Sequence, residues 1–351
     1  MSPFPATPLD GVLDAPPPPA SVAEAENLAR DHFGLDACAK VLTGERDRNF
    51  HLRAAGGAEY VLKVVHPAED TAVTDFQNRA LLHLAAADPS LPVPRVHPPL
   101  AVHWAVAGQP ERLVRVYSWL PGRPLHMAAP GIAQRQALGH LLARVDLALQ
   151  GFSHPAQDHV LLWDIQHALR VRPLLAQIRD PARRALPERL LEQFERHAVP
   201  VLRGLRRQVI HNDFNPHNVL ADAVDDARIA GVIDFGDMVH APLVQDLATA
   251  CAYHVQPEGH PLQGPAEIAA TFHAACPLRP EELDVLFDLM VARGVISVAI
   301  SGWRAERQPD NAPYILRNFP RAWAGLERLA AIPRDEARAF FHAACARTPS
   351  P

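Results

Sequence analysis

The stretch WLPGRPL, Trp119 to Leu125, constrains the fold more than any other feature, because the periodicity of the chain changes across it. Its two prolines and one glycine interrupt any regular element. Before it, apolar residues alternate in short runs. After it, as far as Arg207, their spacing is helical. Upstream, SVAEAENLARDHFG reads as a helix with Ser21 at the N-cap, Glu24 completing a capping box and Gly34 as the stop. CAKVLT, RNFHLRA and EYVLKVV read as strands, with Gly56 and Gly57 turning the chain before the third. A helix over Thr74–Ala86 and strands over Leu100–Ala107 and Arg112–Ser118 complete this half. Downstream, the spacing predicts helices over Ile132–Gln150, Trp163–Ile178, Glu188–Leu205, Leu243–His254, Pro265–Ala275, Pro280–Ala299, Tyr314–Leu329 and Arg334–Ala346. The expected class is α+β, with a small strand-rich N-terminal lobe over 21–118, a hinge over 119–125 and a larger, mainly helical lobe over 126–351. Residues 1–20 hold seven of the prolines and little periodicity, so a disordered or loosely packed arm is expected there. No fixed-period repeat is visible, which argues against a solenoid. Two unlike lobes joined by a short linker predict a cleft suited to a small ligand.

Two runs break the helical pattern of the second half. Arg207 to Ile210 and Ile229 to Ile233 are β-branched and bounded by polar loops, so both read as buried strands. Each delivers acids to the loop at its end: HNDFNPHN after the first and DFGD after the second. Carboxylate and amide oxygens suit hard cations, and magnesium takes one or two protein carboxylates while leaving the rest of its shell to water and phosphates. Phosphoryl transfer needs a carboxylate to accept the proton of the attacking hydroxyl, a second to hold metal, an amide to complete the shell and a cation for the phosphates. Asp213, Asp234, Asn218 and Lys63 match those four needs. Lys63 stands out because only two of the 34 basic residues are lysines, Lys40 and Lys63. A chain that meets its positive-charge needs with arginine has a particular reason for a strand lysine.

Composition narrows the class of partner. A formal charge of −5 gives no basic footprint for nucleic acid or an anionic membrane, so a small-molecule partner is expected. Cys38, Cys251, Cys276 and Cys345 lie far apart, suggesting neither a disulfide framework nor a zinc site. No apolar run is long enough to span a membrane and the N-terminus lacks a signal pattern, which predicts a cytoplasmic protein.

HNDFNPHN with IDFGD resembles the H-x-D-x-x-x-x-N loop and D-F-G element of the protein-kinase-like fold, in the form used by aminoglycoside phosphotransferases and choline kinases. Within that group GERDRNFHLR, YVLKVVHP, VRVYSWLPGRPL, LLWDIQHAL, VIDFGDMVHAPLVQDLATA and SVAISGWRAERQPDN are similar to the hydroxylysine kinase branch. The resemblance implies a two-lobe kinase with ATP or GTP as co-substrate and Mg2+ as cofactor. It implies Asp213 as base, Asn218 and Asp234 as metal ligands, and Lys63 on the α and β phosphates. His211 would be structural, and Phe235 and Gly236 would pack and turn the metal loop. Protein kinases pair their lysine with a glutamate on the next helix. Here the aligned residue is Gln77, which can offer only a carbonyl oxygen. The nucleotide loop LTGERDRNFHL carries Gly44 and Asn49 in place of a glycine-rich pattern. An amino alcohol acceptor would suit Asp237, Asp164 and Trp163, through charge and cation–π contacts, with Trp303 closing the pocket. Asp164 also reads as an N-cap, and Asp246 as a brace for the loop. Homoserine, choline, ethanolamine and aminoglycosides are alternative acceptors. A kinase-like binding protein and a metal hydrolase using His211, Asp213, His217 and Asp234 are the readings from other classes.

Overall fold

In the computed structural model the residues described are 17–44 and 46–347. The chain divides into two compact units. The first runs to Ala86 and resumes over Val93–Leu120; the second comprises Ala87–Pro92 and the chain from Pro121 onward.

The first unit begins with α1, Val22–Phe33, whose Ser21 and Glu24 form the expected capping box and whose Gly34 ends it in the left-handed conformation. A five-stranded antiparallel sheet follows, built from β1 (Ala37–Leu42), β2 (Arg48–Ala54), β3 (Glu59–Val64), β4 (Val96–Trp104) and β5 (Arg112–Ser118) in the order β1-β2-β3-β5-β4, with α2 (Thr71–Ala87) between β3 and β4. Alternation sorts the strands. Phe50, Leu52, Leu62, Val64, Val114 and Val116 form one core with Ala25, Leu28, Ala29 and Phe33 of α1. The period of two therefore turns Asn49, Lys63 and Arg115 to the other face, where register pairs Lys63 with Asn49 on one side and Arg115 on the other.

Two expectations shift in this unit. β4 starts at Val96 and slips register between His97 and Val102. Pro98 and Pro99 cannot donate to a ladder, and β4 is an edge strand, the one place a sheet tolerates them. The expected proline-rich arm lies outside the described residues as far as position 16. Its end packs: Ala20 joins the core, and Arg112 donates to the Pro19 carbonyl at 2.7 Å.

The second unit opens with β6 (Arg123–Pro124), which pairs with β8 from within the stretch expected to be a hinge. Then come α3 (Ile132–Ala148), a 3-10 segment over Ile165–Gln177, α4 (Pro181–His197), α5 (Val199–Leu202), β7 (Arg207–Ile210), β8 (Val219–Ala221), β9 (Ile229–Val232) and β10 (Val239–Pro242). α6 (Leu243–Ala252), α7 (Gln263–Ala275), α8 (Pro280–Arg307), α9 (Ala312–Ile315), α10 (Phe319–Ala330) and α11 (Arg334–Ala346) follow. β7 pairs with β10, and β6, β8 and β9 form a small sheet. Most of α8 is buried, and the 3-10 segment, α4, α6, α9, α10 and α11 pack against it.

The helix expected over Trp163–Ile178 is the 3-10 segment, interrupted at His167 and containing Pro173. The helix expected from Glu188 starts at Pro181, where Asp180 accepts from the Ala182 N–H and proline fits the first turn. A separate short helix follows, with Pro200 in its first turn. Among the described residues no helix is long and apolar enough to cross a membrane.

Candidate active site

The catalytic-loop candidates are held by backbone donors. After β7 the chain turns through Asn212 at φ 66°, a left-handed position that asparagine tolerates. The N–H groups of His211 and Asn212 donate to the two carboxylate oxygens of Asp246 at 2.9 and 2.8 Å. Asp246 lies in the first turn of α6, so this helix fixes the start of the loop. His211 is fully buried. Its Nδ1 accepts from the Asp213 N–H at 3.2 Å, which makes Nε2 the donor to the Ile233 carbonyl, also at 3.2 Å. Both ring nitrogens are engaged, so His211 cannot serve as the metal ligand that a hydrolase would require. Asn212 donates to the Asp237 carbonyl at 3.0 Å and accepts from Gln245 at 2.9 Å, tying the two acidic loops together.

Asp213 is gripped on both oxygens. Oδ2 accepts from Asn218 Nδ2 at 2.6 Å and Asn215 Nδ2 at 2.8 Å, and Oδ1 accepts from Arg293 Nη2 at 2.6 Å. Arg293, on α8, has a side chain only 2% exposed; it also donates to the Trp163 carbonyl at 2.8 Å and to the Tyr253 hydroxyl at 3.2 Å. Burial pushes the Asp213 carboxyl above the ordinary carboxylate range, opposed by Arg293 and reinforced by Asp237. The sequence reading missed Arg293. Its signal was the single charge in LMVARGVISVAI, an arginine where only a paired one can be buried.

Asp234 adopts φ 63° and ψ 73°, a left-handed turn that swings the chain into the 3-10 turn Phe235–Asp237. Phe235 is buried and packs its ring edge-on against His211 at 4.6 Å between centroids. Asp237 is buried beside the loop. Asp164 is fully buried, caps the 3-10 segment through the Gln166 N–H, and accepts from Gln245 at 2.9 Å. That leaves it bracing the interior. The Trp163 ring lies over the Arg293 guanidinium at 5.1 Å. Trp303 is buried on α8, with the Arg307 guanidinium 5.0 Å from its ring.

In the first unit Lys63 Nζ lies 3.4 Å from Asp47 Oδ2. Burial works against the charge on Asp47, yet Lys63, Arg115 and the His66 N–H together hold its carboxyl below the ordinary range. A Cβ at Gly44 would come within 2.5 Å of the Asp47 carbonyl and 2.6 Å of Asn49 Nδ2, so this loop closes only around a glycine. Gln77 is buried on α2.

A sheet unit bearing a strand lysine and a helical unit bearing the H-x-D-x-x-x-x-N and D-F-G loops define a two-lobe, protein-kinase-like α+β fold. The profile of the phosphotransferase enzyme family matches residues 38–285, and the chain belongs to that family. It is 26% identical over 332 residues to the hydroxylysine kinase of Mus musculus, covering 88% of each protein. Among solved structures, a microcompartment-associated aminopropanol kinase superposes with a TM-score of 0.65 at 18% identity, covering 92% of this chain and 98% of that one. Amicoumacin kinase hAmiN, in complex with AMP-PNP, Ca2+ and Ami, gives 0.58 at 14% identity, covering 86% and 88%.

Proposed function

We propose that this phosphotransferase is a kinase for a small amino alcohol, moving the γ-phosphoryl of ATP or GTP to the acceptor hydroxyl, with hydroxylysine as the acceptor. The observation that carries this reading is Asp213: a partly buried carboxylate fixed on both oxygens, with a lone pair on Oδ1 left for a hydroxyl proton. In the transfer the hydroxyl oxygen bonds to the γ phosphorus, the bridge to the β phosphate breaks, and the proton passes to Asp213. Because such a transition state is loose, the protein contributes position and charge more than covalent chemistry.

The donor set fits magnesium. Asn218 gives its amide nitrogen to Asp213, which leaves its carbonyl oxygen for a metal, and Asp234 supplies a carboxylate. A bound Mg2+ would neutralise charge on the β and γ oxygens. Lys63 would hold the α and β phosphates, with Gly44 and Asn49 shaping the loop that covers them. Asp237 and Trp163 are the acceptor-contact candidates. Trp303 would close that pocket, and Asp164 acts through the interior brace. The likeness to hydroxylysine and aminopropanol kinases supports an acceptor that combines a hydroxyl with an amine.

The test is incubation with magnesium and ATP or GTP against hydroxylysine, aminopropanol, homoserine, ethanolamine, choline and an aminoglycoside, following nucleoside diphosphate release. Release that depends on hydroxylysine is expected. Transfer confined to an acceptor without an amine would overturn the substrate class, and no transfer to any acceptor would overturn the kinase.

A further inference from the structure

The lysine of the first unit has an acidic partner from an unexpected place. Lys63 and Arg115 stand opposite each other in register on β3 and β5, with side chains only 15% and 3% exposed. Two cations this close and this dry repel each other unless an anion sits beside them. α2 does not supply one at the aligned position, where Gln77 carries only a neutral amide. Asp47 does. Its Oδ2 is 3.4 Å from Lys63 Nζ and 3.9 Å from Arg115 Nη2, and its Oδ1 accepts from the His66 N–H at 3.0 Å. Nε and Nη1 of Arg115 meet no acceptor among the described residues, and Asp47 is the carboxylate beside its Nη2. The close packing of Gly44 against Asn49 and the Asp47 carbonyl fixes where the acid can lie.

We propose that Asp47 is the positioning residue for Lys63, taking from the nucleotide loop the part that a helix glutamate plays in protein kinases. Arg115 shares the same carboxylate and sets how much of its charge Lys63 receives. The loop over the phosphates and the cation that grips them then form one unit, held by one ion pair. This inference rests on the kinase reading for its catalytic consequence, although the pairing itself does not.

The chain offers a direct readout because it has two lysines, and Lys40 is exposed. Trace acylation with N-hydroxysuccinimidyl acetate, read by peptide mass spectrometry, gives the labelling of Lys63 relative to Lys40. Removing the neighbouring negative charge favours the neutral, nucleophilic amine, so Asp47→Asn is expected to raise this ratio several-fold. Arg115→Gln removes a competing cation and is expected to lower it. The opposite signs separate a charge effect from loosening of the sheet, which would raise labelling in both variants and overturn the proposal. Turnover is expected to follow: kcat/KM for nucleotide falls by about tenfold or more in Asp47→Asn, and Asp47→Glu, which keeps the charge, retains more of it. An unchanged ratio, or unchanged kcat/KM, in folded Asp47→Asn overturns the assignment. A parent protein that phosphorylates no acceptor would sink the kinase reading, and the labelling ratios would still decide Asp47.

Discussion

Asp213, the proposed base, is one carboxylate that takes hydrogen bonds from Asn215, Asn218 and Arg293. If Asp213 is the base, Asp213→Asn keeps the shape and removes it, so turnover is expected to vanish while nucleotide affinity stays near that of the parent. Equal turnover in the two proteins would remove the role of Asp213. Arg293→Leu leaves this partly buried acid without its buried cation, and breaking one side of a fully buried pair costs about 3–5 kcal/mol, an upper bound here. A fall in the denaturation midpoint of matching size is expected in urea, together with loss of activity. A buried acid gives a pH signature. Asp146 is fully buried on α3, its oxygens meet no N–H donor among the described residues, and burial followed by its neighbour Asp246 raises its pKa well above the ordinary value. The folded state therefore keeps a proton that the unfolded state releases above about pH 4, and stability from this group falls as pH rises toward the folded pKa. Asp146→Asn mimics the protonated form. Its thermal advantage over the parent is expected to be small near pH 4 and to widen by up to about 1.4 kcal/mol per pH unit as pH rises toward the folded pKa. A difference independent of pH would refute the retained proton. The candidate base, metal ligands and lysine could be read from the sequence because each belongs to a short local pattern. Arg293 could not, since its partner lies 80 positions away and only the fold brings the two together.

At the scale of elements, close approach outweighs propensity at one crossing. α3 and α7 pack tightly, and a Cβ at Gly139 of α3 would come within 2.4 Å of the Ile268 carbonyl. Alanine gains about 1 kcal/mol over glycine in a helix interior. Backbone cannot step aside as a side chain can, and overpacking of this kind costs about 1–3 kcal/mol or more. Gly139→Ala is therefore expected to destabilise the protein, seen as a lower melting temperature; an unchanged or higher one would show that α7 yields. Elements with strong local signals were legible: α1 through its capping box, β2 and β3 through alternation, and β7 and β9 through their β-branched runs. β8 and β10 were not. They have three and four residues, too few for any period to register, and pairing with β9 and β7 is what makes them strands. The 3-10 segment carries helical spacing but also Pro173, and tertiary contacts with α8 and α4 hold the irregular form.

For the whole molecule a strand-rich first part and a mainly helical second part were legible because the periodicity changes near Trp119 and returns to short strands only over β7–β10. The boundary was less so. Ala87–Pro92 joins the second unit, where the Pro92 carbonyl accepts from the Val232 N–H at 3.0 Å and Arg144 donates to Ser90 at 2.7 Å, interactions that no local pattern announces. If the kinase reading holds, magnesium nucleotide at one hundred times its Kd stabilises the fold by about 2.7 kcal/mol, a shift measurable by calorimetry. No shift at saturating nucleotide would contradict the reading. The left-handed backbone at Asn212 and Asp234 has a longer reach. Branched and bulky side chains are strained there, so at both places only glycine and short polar residues are expected to be tolerated. A descendant gene that came to prefer a different alcohol would keep this pair and alter the helices around it.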